Sequence, residues 1–383
     1  MASQVGKQSL AFEKEVYLAE SASIVGTKEG QGPLSDLFDM IGSDDLFGCD
    51  TWEDAESSLQ KDAVYMLLRK AAVSENDIRY LFAGDLLGQS IASSFGLKNY
   101  QIPLFGLYGA CSTCGESIGL GSILVSSGYA DKVVCVTSSH FASAEKEFRF
   151  PLGYGNQRPL SASWTVTGSG AFLLTSQKLS GAGSQTGQPG QAEQSGQTEQ
   201  SGQAGQTGQS TQSGENGQTP REGSRARARI TGITTGKIVD FGVKDSMNMG
   251  ACMAPAAADT IYQNLMDFNR QPTDYDRIIT GDLGYVGQTA LIDLLKERGF
   301  DITKQHTDCG IEIYDRETQD THAGGSGCGC AAVTLSAYVL KKLEEGIWRR
   351  VLFVPTGALL SKTSFNEGRT IPGIAHGIVF ESP

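Results

Sequence analysis

The tightest constraint on this chain is an internal echo. "LFAGDLLGQ" at 81–89 returns as "IITGDLGYVGQ" at 278–288, each an apolar run followed by Gly-Asp-Leu, at 84–86 and again at 281–283. A second match follows in the same order. The stretch after Cys111 runs to Gly128 and then to "KVVCVTSS" (132–139); a shift of 218 residues carries Gly128 onto Gly346, Lys132 onto Arg350, and the strand onto "RVLFVPTG" (350–357). The offset at the first match is 197, so the second half holds about 21 extra residues between the two. Two matches in one order favour a duplicated α/β unit. Each half reads as strand, helix, strand, helix, strand. "ESSLQKDAVYMLLRKAAV" (56–73) and "PAAADTIYQNLMDFNR" (255–270) are amphipathic helices, and the strands are short apolar runs of the kind buried parallel sheets require.

The helix after Cys111 is of another kind. From Ser112 to Ser127 it holds Gly115, Gly119, Gly121, several serines and one charge, Glu116. A helix so poor in charge is covered on several sides, and its small residues let neighbours approach closely. "GSGCGCAAVTLSAYVL" (325–340) has the same character in the second half. Two buried helices, one per half, predict a layered sandwich with this pair at its centre.

Between the halves, residues 181–220 hold no aromatic residue and no Ile, Leu or Val, only loose Gly-Gln triplets. Such a segment cannot bury enough apolar surface to offset its ordering, so the expected organisation is an N-terminal half (1–180), a disordered Gly/Gln/Ser-rich insertion (181–220) and a C-terminal half (221–383). A net charge of -12 argues against a nucleic-acid binder. Arg225, Arg227 and Arg229 in "SRARARI" share one face of a strand, as a solvated edge or as an anion patch. The opening residues carry charges throughout and do not read as a signal peptide, and no apolar run approaches the ~20 residues of a membrane span. Eight cysteines without a secretion signal suggest reduced thiols in a cytosolic compartment.

"GACSTCGESIGLGSILVSSGYADKVVCVTSS" resembles the nucleophile region of the thiolase superfamily, in particular β-ketoacyl-carrier-protein synthase III. The resemblance implies a thiolase-like fold, the duplicated five-layer αβαβα sandwich, with Cys111 at the nucleophile position. Further stretches, "GPLSDLFD", "TSSHFASAEKEFRFP", "TVTGSGA", "MAPAAADTI", "AGGSGCGCAAV", "PTGALLSK" and "IPGIAHGIVFE", are similar to a non-metabolic branch, the stage V sporulation protein AD family of spore-forming bacteria. That resemblance covers nearly the whole chain outside the insertion. It implies binding of dipicolinic acid, alone or as its calcium chelate, and no established catalysis. It also implies work alongside spore inner-membrane channel proteins, and a cytoplasmic location in the forming spore, peripheral to that membrane. Members of this fold usually dimerise, so the resemblance also implies a homodimer.

A condensing enzyme of this fold needs a histidine and an oxyanion donor beside its cysteine. The histidine slot falls at about Gly281, next to Asp282, and the asparagine slot near Gly325, so both groups are missing. The four histidines are His140, His306, His322 and His376. An acyltransferase would have to use Cys111 with His322 or His376 as base. The preferred reading is non-catalytic, with Cys111 a vestigial nucleophile on the floor of a ligand pocket. A ligand-free scaffold of the channel complex is the third reading. Candidate ligand contacts are Cys111, Ser138, Ser139, His140, Thr167 and Ser326; no metal ligand set and no cofactor are expected. Asp85 and Asp282, at repeat-related positions, are favoured as paired structural acids, because a bare carboxylate opposes an anion unless calcium bridges it. Cys111 and Cys114, with Cys328 and Cys330, have poor zinc spacing. Cys114, Cys135, Cys252, Cys309, Cys328 and Cys330 read as small core residues, and Cys49 as a surface thiol.

Overall fold

A computed structural model describes residues 2–148, 158–180 and 225–383. The Gly/Gln/Ser-rich segment expected at 181–220 lies outside the described residues.

The first half supplies the five main strands of its sheet: β1 (Tyr17–Val25), β2 (Tyr80–Gly84), β3 (Leu104–Gly106), β4 (Lys132–Ser139) and β5 (Gly168–Thr175). The second supplies β6 (Ala228–Thr234), β7 (Arg277–Thr280), β8 (His306–Asp308), β9 (Arg350–Val354) and β10 (Gly377–Glu381). The strand order is β3-β2-β4-β5-β1 in one half and β8-β7-β9-β10-β6 in the other. In both, the three outer strands run parallel and the fourth and fifth pair antiparallel. A short link, Ala228 to Leu18 and Arg229 to Tyr17, joins the two sheets at β6 and β1. The duplication inferred from Gly-Asp-Leu is therefore a duplication of topology, and its landmarks coincide. Lys132 and Arg350 open equivalent strands, and Gly128 and Gly346 adopt the left-handed conformation just past the central helices, at φ +77° and +70°.

Helix α1 (Trp52–Ala71) covers the outer face of the first sheet. The central layer begins with α2 (Thr113–Ser126), and α3 (Phe141–Phe148) follows β4. Helices α4 (Met249–Asp267) and α5 (Gly284–Glu297) pack together outside the second sheet. The second central helix, α6 (Cys328–Thr334), continues through one wide turn (Leu335–Val339) to Glu344. It starts three residues later than the apolar pattern predicts, because Gly325 and Ser326 pair with Trp164 and Thr165 and Gly327 turns at φ +102°. Helix α4 instead starts six residues earlier than predicted, because the Asn248 side chain accepts a hydrogen bond from Ala251 N (3.3 Å) and caps the helix ahead of Pro255.

The arginines of "SRARARI" are absorbed by the protein itself. Arg227 donates to Ser336 O (3.1 Å), Arg229 pairs with Glu381 (2.6 Å), and Arg225 lies 3.6 Å from Glu20, which favours the strand-edge reading over an anion patch. All eight cysteines are free thiols; six are buried, while Cys49 and Cys111 are half-buried.

Close approach in the central layer depends on missing side chains. A Cβ on Gly170 of β5 would fall 2.7 Å from Ala332 Cβ and 2.9 Å from its carbonyl oxygen on α6. We predict that Gly170→Ala lowers unfolding stability by roughly 2–3 kcal/mol in denaturant titration, because backbone cannot move aside as a side chain can. Gly106→Ala on β3, where no atom lies within 4 Å of the added carbon, should stay within about 0.5 kcal/mol of wild type.

Candidate functional site

The loop from β3 into α2 is a compact knot of small residues. Ser112 Oγ donates to Gly109 O (2.7 Å), Thr113 Oγ1 donates to Ala110 O (2.7 Å), and Gly109 N donates back to Thr113 Oγ1 (3.0 Å). Ala110 is held at φ +51°, a conformation that costs a residue with a Cβ. The loop also needs Gly357 opposite, where a Cβ would lie 2.3 Å from Gly109 O. Its product is Cys111, set in the wall of a cavity with about 500 Å³ of empty space, mouth included.

The wall is assembled from both halves. Leu86 and Tyr108 come from the loops after β2 and β3, Glu145 and Phe148 from α3, Met249 from the start of α4, and Leu360 from the segment beyond β9. Polar groups enter from Thr165, Ser326 and Asp282. Asp282, just past β7, is buried and faces Cys111. One carboxylate oxygen accepts from Gly327 N (2.9 Å) and the other from Thr356 Oγ1 (2.7 Å). Burial pushes the Asp282 carboxyl up to about 7, against the pull of the Gly327, Thr356 and Cys111 hydrogen bonds. Burial, then the Asp282 charge and Cys328, also drives the Cys111 thiol well above its ordinary range; the Gly327 N–H only partly opposes this. Thiolates are stabilised by cations and imidazolium, and here the group facing the sulfur is an acid.

Of the residues singled out from sequence, Cys111 and Ser326 line this cavity and the other four do not. Ser138 donates to Glu56 (2.9 Å) and accepts from Gln60 (2.9 Å); Ser139 donates to Val166 O (2.7 Å). Thr167 Oγ1 accepts from Phe141 N (3.1 Å). His140 is buried, with Nε2 against Asp45 O (2.7 Å) and Nδ1 accepting from Ala142 N (3.2 Å). These four side chains stitch the end of β4 to its neighbours and have their hydrogen bonds filled by protein. None of the four histidines lines the cavity. His322 pairs with Asp320 (3.0 Å), His306 sits between Thr280 and Gln288, and His376 accepts from Gly236 N (3.2 Å). The residue underrated from sequence is Asp282. Its repeat partner Asp85 is structural, taking hydrogen bonds from Leu87 N, Ser93 N and Ser93 Oγ, whereas Asp282 stands in the cavity wall. Among the described residues no group of three or more metal-ligating side chains is placed to hold an ion.

Several buried acids away from the cavity are likewise held toward their neutral forms. Glu29 is pushed up to about 7, and Glu56 and Asp85, which repel one another, are both raised by burial. Between pH 6.5 and 8 the unfolded chain has already ionised these acids, while the folded chain retains protons on them and on Asp282, so stability falls as pH rises. The buried histidines His306 and His376, lowered to about 4, act in the opposite sense, but only below the unfolded value near ~6.5. We predict a loss of roughly 2–3 kcal/mol of unfolding free energy between pH 6.5 and 8. Denaturant titrations at several pH values measure it, and Glu29→Gln should flatten part of the slope.

A family model described as stage V sporulation protein AD matches residues 6–186 and 191–381. The chain is 40% identical over 376 residues to stage V sporulation protein AD of Bacillus subtilis (strain 168), spanning 98% of this chain and 97% of that protein. Among solved structures, 3-oxoacyl-(acyl carrier protein) synthase III from Pseudomonas aeruginosa PAO1 superposes with a TM-score of 0.50 at 11% identity, covering 97% of this chain and 99% of that one. The priming β-ketosynthase of the R1128 polyketide pathway gives 0.51 at 10% identity, covering 100% and 99%. At such identities these two bear on the fold alone, which is thiolase-like. With matches along nearly its whole length, the chain belongs to the stage V sporulation protein AD family.

Proposed function

We propose that this protein serves sporulation as a non-catalytic binding protein. Its ligand on this reading is dipicolinic acid, alone or as its calcium chelate, held in the cavity beside Cys111 and passed to inner-membrane channel proteins for uptake into the developing spore. The observation that carries the reading is the pairing of Cys111 with Asp282. A condensing enzyme needs a thiolate and donors for a developing oxyanion. Here burial and a facing carboxyl keep the thiol protonated, and no histidine lines the cavity. What is left is a small, largely apolar chamber with hydroxyls at Thr165 and Ser326 and ring walls at Tyr108 and Phe148, suited to a flat aromatic guest.

Association with the membrane would be peripheral, since no helix among the described residues is long and apolar enough to cross a bilayer. A second copy of the chain would dock on the open edge at β3, where Leu104 and Phe105 are 44% and 46% exposed.

Calorimetric titration with dipicolinate, with and without calcium, tests the ligand. Intact-protein mass after incubation with acyl-coenzyme A tests the chemistry. The expected result is saturable dipicolinate binding with no added mass on Cys111. An acyl adduct without dipicolinate binding would return the site to the condensing enzymes. We predict that Cys111→Phe weakens dipicolinate binding by roughly 100-fold or more by filling the chamber, while Cys111→Ser largely spares it. Equal loss in both variants would remove the steric argument. Deleting residues 183–219 should leave binding intact.

A further inference from the structure

We infer that Asp282 takes up a proton when the cavity beside Cys111 admits a carboxylate ligand, and that this protonated carboxyl is a specificity-determining donor to the guest. The inference rests on the ligand reading above and concerns how an acid-lined cavity accepts an anion.

The geometry comes from every element around Asp282. Its own oxygens face the Gly327 N–H at 2.9 Å and the Thr356 hydroxyl at 2.7 Å. From the loop before α2 comes the Cys111 thiol, and from α6 come the Cys328 and Cys330 thiols. Asp308 and Cys309, at the end of β8, add a second buried carboxyl and another thiol, and Glu145 of α3 lines the same cavity. All of these titratable groups are neutral or negative. Among the described residues neither Lys nor Arg lines the cavity. A ligand carboxylate brought against an ionised Asp282 in this desolvated setting meets like-charge repulsion. One proton removes the repulsion and turns an acceptor-only carboxylate into a donor. Thr356 can accommodate either form, because its Oγ1 also accepts from Asp282 N (3.3 Å) and its hydroxyl hydrogen can rotate. Burial has already brought the Asp282 carboxyl up to about 7, and the repulsion of an incoming ligand carboxylate carries it further, beyond the pH at which the guest is bound. The arrangement also excludes guests: a ligand carrying only hydrogen-bond donors would lose the benefit of the proton, and a cationic one would displace it.

The linkage has a definite sign. Above pH 7 the empty site is mostly ionised, so binding draws a proton from solution and weakens about tenfold per pH unit. Below pH 6 the proton is already in place, so uptake vanishes and affinity becomes level.

The test is calorimetric titration of the full chain with dipicolinate and a calcium chelator, near pH 6 and near pH 8, in HEPES and in Tris, whose ionisation enthalpies differ. The expected result is uptake approaching one proton per site near pH 8 and close to none near pH 6. Asp282→Asn should abolish the uptake and level the affinity between the two pH values, and Glu29→Gln, at a buried acid outside the cavity, should leave both in place. The wild-type buffer comparison needs no variant, so a poorly folded Asp282→Asn does not blunt it. Dipicolinate binding near pH 8 with no proton uptake, or binding that requires calcium, would overturn the inference while leaving the ligand reading standing. Absence of saturable heat at both pH values would remove the ligand reading and this inference with it.

Discussion

The contact on which the rest of the molecule depends is the seating of α6 against the first sheet through residues with almost no side chain. A Cβ on Gly329 would lie 2.5 Å from Gly168 O and 2.6 Å from Ser139 Oγ, and Gly170 is as tight against Ala332. Such approach brings backbone to within van der Waals distance across layers and buries thiols and hydroxyls that larger residues would displace. It also fixes where the second half's helix begins relative to the first half's strands. Gly327, Ser326 and Asp282 consequently arrive beside Cys111, a residue 171 or more positions away in the opposite half.

The cavity lies at the seam of a duplication whose two copies have diverged in duty. Gly-Asp-Leu ends β2 and recurs after β7, yet Asp85 is enclosed by Ser93 and the backbone while its partner faces an open chamber. The same backbone position thus holds a structural acid in one half and a wall group in the other. The difference arises because Asp282 lies against the Cys111 thiol, whereas the Asp85 side chain turns back to Leu87 and Ser93. Burying an acid there sets the electrostatics of the chamber, with thiol and carboxyl both pressed toward their neutral forms. In that setting the group facing the Cys111 sulfur is an acid, not a cation that would favour a thiolate.

Of the six residues singled out along the chain, Cys111 and Ser326 line the cavity, while Ser138, Ser139, His140 and Thr167 stand outside it. Ser138 and Ser139 close β4 and His140 follows it, at a strand end near the site, which made them attractive as ligand contacts. In the folded chain their side chains turn into Glu56, Gln60, Val166 O and Asp45 O. Strand alternation assigns a face but not the hydrogen-bond partners waiting on that face. Tyr108, Phe148 and Met249 carried no signal in the order of the chain, being two ordinary ring residues and a methionine until three separate segments converged.

What the amino-acid sequence determined by itself was the repeated architecture: two matching series of apolar strands, amphipathic outer helices and glycine-rich central helices. These are properties of local periodicity and of side-chain size, which hold wherever the segment ends up. The identity of the chamber wall, the burial that shifts Asp282, and the separation of its role from that of Asp85 were decided only by the tertiary structure. Desolvation and hydrogen-bond satisfaction depend on residues far apart in the chain, and neither exists until the two halves close on each other.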